Sequence, residues 1–291
     1  MKLNQKLAMR YMRAQLNILS LVSLRKSAEK AFRLFVTPGK RRKGKLPPIF
    51  ETGEPLSFRQ NGHPVRGHRW QPYSDELRPS AETVAPKKVL IAHGFESASR
   101  VFGNYIAALL KKGYEVVAFD APGHGMSGGK RLFISDYVEM LSAVEQNYGP
   151  FHSWMGHSLG GLALALSLED MSADGECRLV LVAPVPGIAQ AFGEWARELQ
   201  LPAEMGREVE EYVKEISGHP LAWYSLRRVI GSLGMPIFYV QDEGDSVIPI
   251  QDAKLIQGDG HANIRFLLTT GLGHKKIYKD TGVMDQIVDF L

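Results

Sequence analysis

Only one cysteine, Cys177, occurs in the 291 residues. An internal disulfide is therefore excluded, and the composition suits a reducing, cytoplasmic compartment. No apolar run approaches the roughly 18 residues that a spanning helix needs. The apolar piece Leu16–Leu24 holds polar residues and is followed by Arg25-Lys26 without a small-residue cleavage pattern, so no secretory signal is expected. The nine histidines show no ligand spacing completed by a carboxylate, and neither a metal nor another cofactor is expected. Internal repeats and low-complexity tracts are missing. Acidic residues are scarce at one end: residues 1–45 carry 13 Lys+Arg against Glu29 alone, while the remainder carries 22 Lys+Arg against 30 Asp+Glu. The formal charge of +4 is thus +12 on an N-terminal arm set against −8 on everything else.

What is present begins with that arm. Leu21, Leu24, Ala28, Ala31 and Phe35 recur at spacings of three and four, and Leu3, Leu7 and Tyr11 at four. This pattern predicts amphipathic helix up to Thr37-Pro38-Gly39. A basic linker, Gly39–Lys45, follows, and Pro47-Pro48 opens an extended segment. The arm and linker are taken as residues 1–46 and the main domain as 47–291. Two readings of the arm stay open. It packs its apolar stripe on the main domain, or it rests on anionic membrane or an acidic partner. No base-reading pattern accompanies the charge, so nucleic acid is not expected. The oligomeric state is not legible.

With 44% apolar residues, the chain can bury a sizeable core. Leu56–Gln60 and Pro64–Trp70 flank Asn61-Gly62 and predict a hairpin. Strands are then expected at Val89–Ala92, Glu115–Phe119, Phe151–Met155, Leu179–Ala183, Ile237–Val240 and Ile264–Leu268. Helical periods fall at Val101–Lys112, Tyr137–Tyr148, Leu159–Glu169 and Gly282–Leu291. Continuous apolar strands alternating with helices imply an α/β fold whose mostly parallel sheet is covered on both faces. Roughly 187–232 breaks the rhythm with helical patterns only and is expected to be a small helical cap.

The stretch "WMGHSLGGLAL" starts at Trp154 and carries the chemistry. Gly156-His-Ser-Leu-Gly160 lies between a buried strand and a helix, the context of a G-x-S-x-G nucleophile elbow. Such a turn holds Ser158 in a strained conformation that exposes its hydroxyl at the sheet's carboxyl end, above a helix N-terminus. A serine hydroxyl needs a base near neutral pH, and the base needs an orienting acid. Two later strands lead into Gln241-Asp-Glu-Gly-Asp-Ser-Val-Ile-Pro249 and Thr269-Thr-Gly-Leu-Gly-His274. Gly123-His-Gly-Met-Ser-Gly128 matches G-x-G-x-x-G formally, but no helix opens on its last glycine, so a nucleotide site is not expected.

In the order Ser, Asp, His, the chain resembles the α/β-hydrolase family over most of residues 50–291. The resemblance implies Ser158 as nucleophile, His274 as base and Asp245 as acid, through Asp245-Ser-Val-Ile-Pro249 and Gly271-Leu-Gly-His274. Asp242 stands where the family usually has glycine and remains an alternative acid. His93-Gly94-Phe95 matches the family's oxyanion loop, which implies the backbone N–H groups of Phe95 and Leu159 as oxyanion donors. His93 is then read as a brace for that loop, and His157 as packing. The expected activity is hydrolysis of a small-molecule carboxylic ester, an acyl lipid among the candidates, through an acyl-enzyme. Rivals are a thioesterase, peptidase or carbon–carbon hydrolase with the same residues, or a binding protein that kept the fold. Ala191, Phe192, Trp195, Leu199, Leu201, Trp223, Tyr224 and Leu226 of the cap are candidates to line an acyl pocket, and His219 to touch substrate.

Overall fold

The computed structural model describes residues 3–39, 45–72, 85–169 and 176–291. Most of the basic linker lies outside the described residues. Eight strands form one sheet: β1 (Glu54–Gln60), β2 (His63–Trp70), β3 (Lys88–Ala92), β4 (Glu115–Asp120), β5 (Ser153–His157), β6 (Arg178–Val182), β7 (Ile237–Asp242) and β8 (Ile264–Thr269). Their spatial order is β1-β2-β4-β3-β5-β6-β7-β8. The β1–β2 hairpin and the β2–β4 pairing are antiparallel, and all the rest is parallel. Asn61 (φ 48°) and Gly62 (φ 77°) turn the hairpin, both in the left-handed region that a two-residue turn demands.

Eleven helices accompany the described strands: α1 (Leu3–Val22), α2 (Leu24–Phe35), α3 (Gly103–Lys111), α4 (Ile134–Tyr148), α5 (Leu159–Ser167), α6 (Ile188–Glu198), α7 (Ala203–Ser217), α8 (Leu226–Ile230), α9 (Ile250–Gly258), α10 (Gly273–Lys276) and α11 (Thr281–Phe290). Alternation along the strands sorts the core into two layers. Leu90, Val117, Trp154, Leu181 and Tyr239 point to the layer shared with α2, α4, α5 and α6–α8. Val89, Val116, Met155, Val182 and Phe238 point to the other layer, against α3 and α11. Both faces are dry, which explains why the inner strands read as unbroken apolar runs.

The arm is two helices, not one. Ser23 leaves the helical conformation (φ −159°) and its side chain accepts from the Lys26 N–H, capping α2. The helical phase restarts there. Ala28, Ala31 and Phe32 are buried in the core layer, and Phe32 stacks edge-on against Phe133 and Tyr212. Leu21, placed in the inward stripe by the sequence reading, is 89% exposed because it belongs to α1, whose phase differs. Among the described side chains of α1, Leu16 alone enters the core, and the Ser27 hydroxyl donates to its carbonyl at 2.8 Å. Between β6 and β7 the described chain forms α6, α7 and α8 with no strand, and α7 packs on α2. Among the described residues no helix is long and apolar enough to cross a membrane.

Candidate active site

Parallel strands put their carboxyl ends on one edge, and that edge collects the chemistry. β5 ends at His157 and α5 begins at Leu159, leaving Ser158 alone in the turn. Its φ of 54° and ψ of −123° lie outside the ordinary wells for a side chain. The turn survives because its neighbours are small. A Cβ on Gly160 would meet the Ala92 carbonyl oxygen at 2.5 Å. Ser158 is 8% exposed.

His274 reaches Ser158 from the short helix α10 that follows β8. Its Nε2 lies 3.1 Å from Ser158 Oγ, and its Nδ1 lies 2.8 Å from Asp245 Oδ2. Asp245 comes from the loop after β7, and its side chain is fully buried. Its Oδ1 accepts from the Val247 and Ile248 amides at 2.8 and 2.9 Å. Burial alone would raise this carboxyl's pKa. The His274 contact and the two amides outweigh that and hold it below the ordinary carboxylate value. A buried carboxylate that stays ionised fixes the proton of His274 on Nδ1, which leaves Nε2 free to accept from the serine.

Asp242, the last residue of β7, is turned to other partners than His274. Asp242 accepts from the Thr269 hydroxyl at 2.9 Å, the Leu272 amide at 2.9 Å and the Gly244 amide at 3.0 Å. Burial opposes its ionisation, yet those donors hold its pKa down. Its role is to tie the end of β7 to the segment that leads into His274.

His93-Gly94-Phe95 runs beside the serine: a Cβ on Gly94 would lie 2.9 Å from Ser158 Cβ. His93 is fully buried, and burial lowers its pKa, so the ring is neutral. Its Nδ1 donates to the Gly94 carbonyl at 2.8 Å and its Nε2 accepts from the Ala121 amide at 2.9 Å. His124 Nε2 accepts from the Glu96 amide at 3.0 Å. These two rings lace the Phe95 loop to the turn after β4. Leu159 is the first residue of α5, where N–H groups have no intrahelical acceptor.

The structure corrects the sequence reading at two features. His157 is more than packing: its Nε2 donates to the His274 carbonyl at 3.1 Å. Burial pushes its pKa down to about 3, so it makes this bond as a neutral ring. The second is the pocket. A cavity of about 140 Å³ reaches Leu159, the residue after Ser158, and is walled also by Phe35, Val36, Phe95, Leu132, Phe133, Ile134, Val185, Ile188 and Ala191. Of the eight cap residues expected to line it, only Ala191 does. Phe192, Leu199, Tyr224 and Leu226 are buried between helices instead. Phe35 and Val36, more than 120 positions before Ser158, come from the arm; no local signal marks them. His219 stacks on Trp223 with centroids 4.4 Å apart on the outer face of the cap, away from the pocket lining.

The pattern of a serine aminopeptidase family, S33, matches residues 84–217, which include Ser158 but neither Asp245 nor His274. A serine hydrolase-like protein of Dictyostelium discoideum is 28% identical over 117 residues, 38% of this chain and 30% of that protein. An esterase of Pyrococcus furiosus superposes with a TM-score of 0.61 at 19% identity, covering 88% of this chain and 97% of that one. The chain is an α/β-hydrolase-fold protein. Another α/β-hydrolase-like structure, the thioesterase domain from the curacin biosynthetic pathway, superposes with a TM-score of 0.55 at 16% identity, over 81% and 98% of the chains. At these identities the neighbours establish the shared α/β-hydrolase fold and nothing finer.

Proposed function

We propose that this chain is a serine hydrolase that cleaves a carboxylic ester of a small molecule through an acyl-enzyme. The observation that carries the reading is the contact chain Ser158–His274–Asp245, at 3.1 and 2.8 Å, built on a serine held at φ 54°. Ser158 Oγ attacks the ester carbonyl while His274 Nε2 takes the hydroxyl proton. The Phe95 and Leu159 N–H groups stabilise the oxyanion that forms. Losing one such donor typically raises the barrier by about 3 kcal/mol. The tetrahedral intermediate collapses as His274 returns the proton to the leaving alkoxide. Water, deprotonated by the same ring, then releases the acid and restores Ser158.

The apolar cavity at Leu159 takes the acyl group. A dry cavity of about 150 Å³ holds a benzene-sized guest, so a cavity of about 140 Å³ suits a short acyl chain of about six carbons. The test is a fluorophosphonate probe followed by a substrate panel. Wild type labels, Ser158→Ala does not, and p-nitrophenyl esters of short acids turn over faster than matched amides. Absence of labelling in folded wild-type protein defeats the enzyme reading. Faster turnover of thioesters than of oxygen esters replaces it with a thioesterase.

A further inference from the structure

Helix α1 carries an apolar face that the protein leaves uncovered. Leu7, Tyr11, Ile18, Leu21 and Val22 are between 54% and 89% exposed. With Ala14, also exposed, they follow spacings of four, three, four and three along one side of the helix. Leu16 projects from the opposite side into the core, so the orientation of α1 is anchored and the apolar face points outward. An exposed stripe of this size marks an interaction surface.

Charge identifies the occupant. Residues 1–28 hold six Lys or Arg and no Asp or Glu. Arg10 is exposed one residue before Tyr11, beside the stripe, and Lys26 is exposed just past its end, while Arg13 turns to the body of the protein and donates to the Gln200 side chain. A second copy of the same helix would bring like charges together. An apolar stripe with Arg10 beside it, Lys26 past its end and no acidic residue within α1 matches a lipid surface with anionic headgroups, where the side chains enter the acyl boundary and the cations meet the headgroups. We propose that α1 lies flat on anionic membrane through Leu7, Tyr11, Ile18, Leu21 and Val22. The proposal does not depend on the ester chemistry. Its consequence for that chemistry is spatial, because a single residue, Ser23, joins α1 to α2, whose end walls the acyl cavity.

The test is flotation of the full chain with phosphatidylcholine vesicles, with and without about a third phosphatidylserine. Wild type is expected to float with the anionic vesicles at low salt and to be released at high salt. Ile18→Asp with Leu21→Asp should lower the bound fraction about tenfold. Arg10→Glu with Lys26→Glu should lower it by at least as much, since each cation near the surface is worth about fivefold in binding. Both double variants should keep the wild-type circular dichroism and probe labelling at Ser158, which separates loss of docking from loss of fold or of the hydrolase reading. Equal flotation with neutral and anionic vesicles, or unchanged flotation of the stripe variant, overturns the proposal. So does a wild-type dimer that the stripe variant splits, with no vesicle binding in either.

Discussion

His157 and Asp242 show how much of the site is held by residues that never meet substrate. The first donates to the His274 carbonyl, and the second receives the amide two residues before that histidine. Asp245→Asn keeps the shape but offers His274 the wrong tautomer. Steady-state kinetics should show kcat falling by about a thousandfold or more. Asp242→Asn weakens the anchor without touching the relay, so kcat should fall by a smaller factor while the melting temperature drops, read by calorimetry. His157 also sets a pH dependence. Its ordinary value of 6.5 falls to about 3 in the folded chain, so the unfolded chain binds the proton first on acidification. Stability from this group is therefore full above the unfolded value and is lost as pH falls between about 6.5 and about 3. The slope is on the order of 1 kcal/mol per pH unit. Buried neutral His93 adds to it in the same sense. Urea midpoints measured from pH 7 down to about pH 4 should fall for wild type and fall less steeply for His157→Gln.

At the scale of elements, the strand–turn–helix around Ser158 tolerates no added bulk. Gly160→Ala drives a Cβ against the backbone of β3's end, where nothing flexible can yield. It should destabilise the protein by about 1–3 kcal/mol, measured by chemical denaturation, and abolish probe labelling. If the proposed reading holds, the end of α2 bears on specificity, because Phe35 and Val36 wall the cavity proposed to take the acyl group. Val36→Ala enlarges the acyl cavity from the arm's side. Because one methylene in an apolar pocket is worth about tenfold or more in discrimination, kcat/KM across a series of p-nitrophenyl esters should shift toward longer acids.

Seen as a whole molecule, the arm is two devices in series. Phe32 and Phe35 stack on Phe133, Tyr212 and Phe192, and the Leu132 amide donates to the Val36 carbonyl at 2.9 Å. Removing residues 1–39 therefore strips a wall from core and pocket together, and that deletion should give insoluble or molten protein. Among the described residues, removing 1–22 takes the Leu16 side chain out of the core. A Leu truncation of about 3 kcal/mol in a chain of this size corresponds to roughly 6–12 °C in melting temperature. Ester turnover at 25 °C should persist.

Much of this molecule was legible in its residues, for local reasons. Runs such as Glu115–Phe119 and Leu179–Ala183 read as strands buried on both faces, and the Gly156–Gly160 signature reads as a tight turn between strand and helix, because period and turn chemistry act over a few positions. The resemblance implied Asp245 with Asp242, three residues earlier at the end of β7, as the alternative, and the tertiary structure puts Asp245 rather than Asp242 against His274. The tertiary structure also decided that Ser23 breaks the arm, that Phe35 and Val36 rather than the cap aromatics wall the cavity, and that α1 turns Leu7 and Leu21 outward while Leu16 enters the core. Those outcomes depend on contacts between residues far apart in the chain. The hydrophobic effect that drives such contacts has no direction of its own and takes one only from the shape of the surface that is waiting.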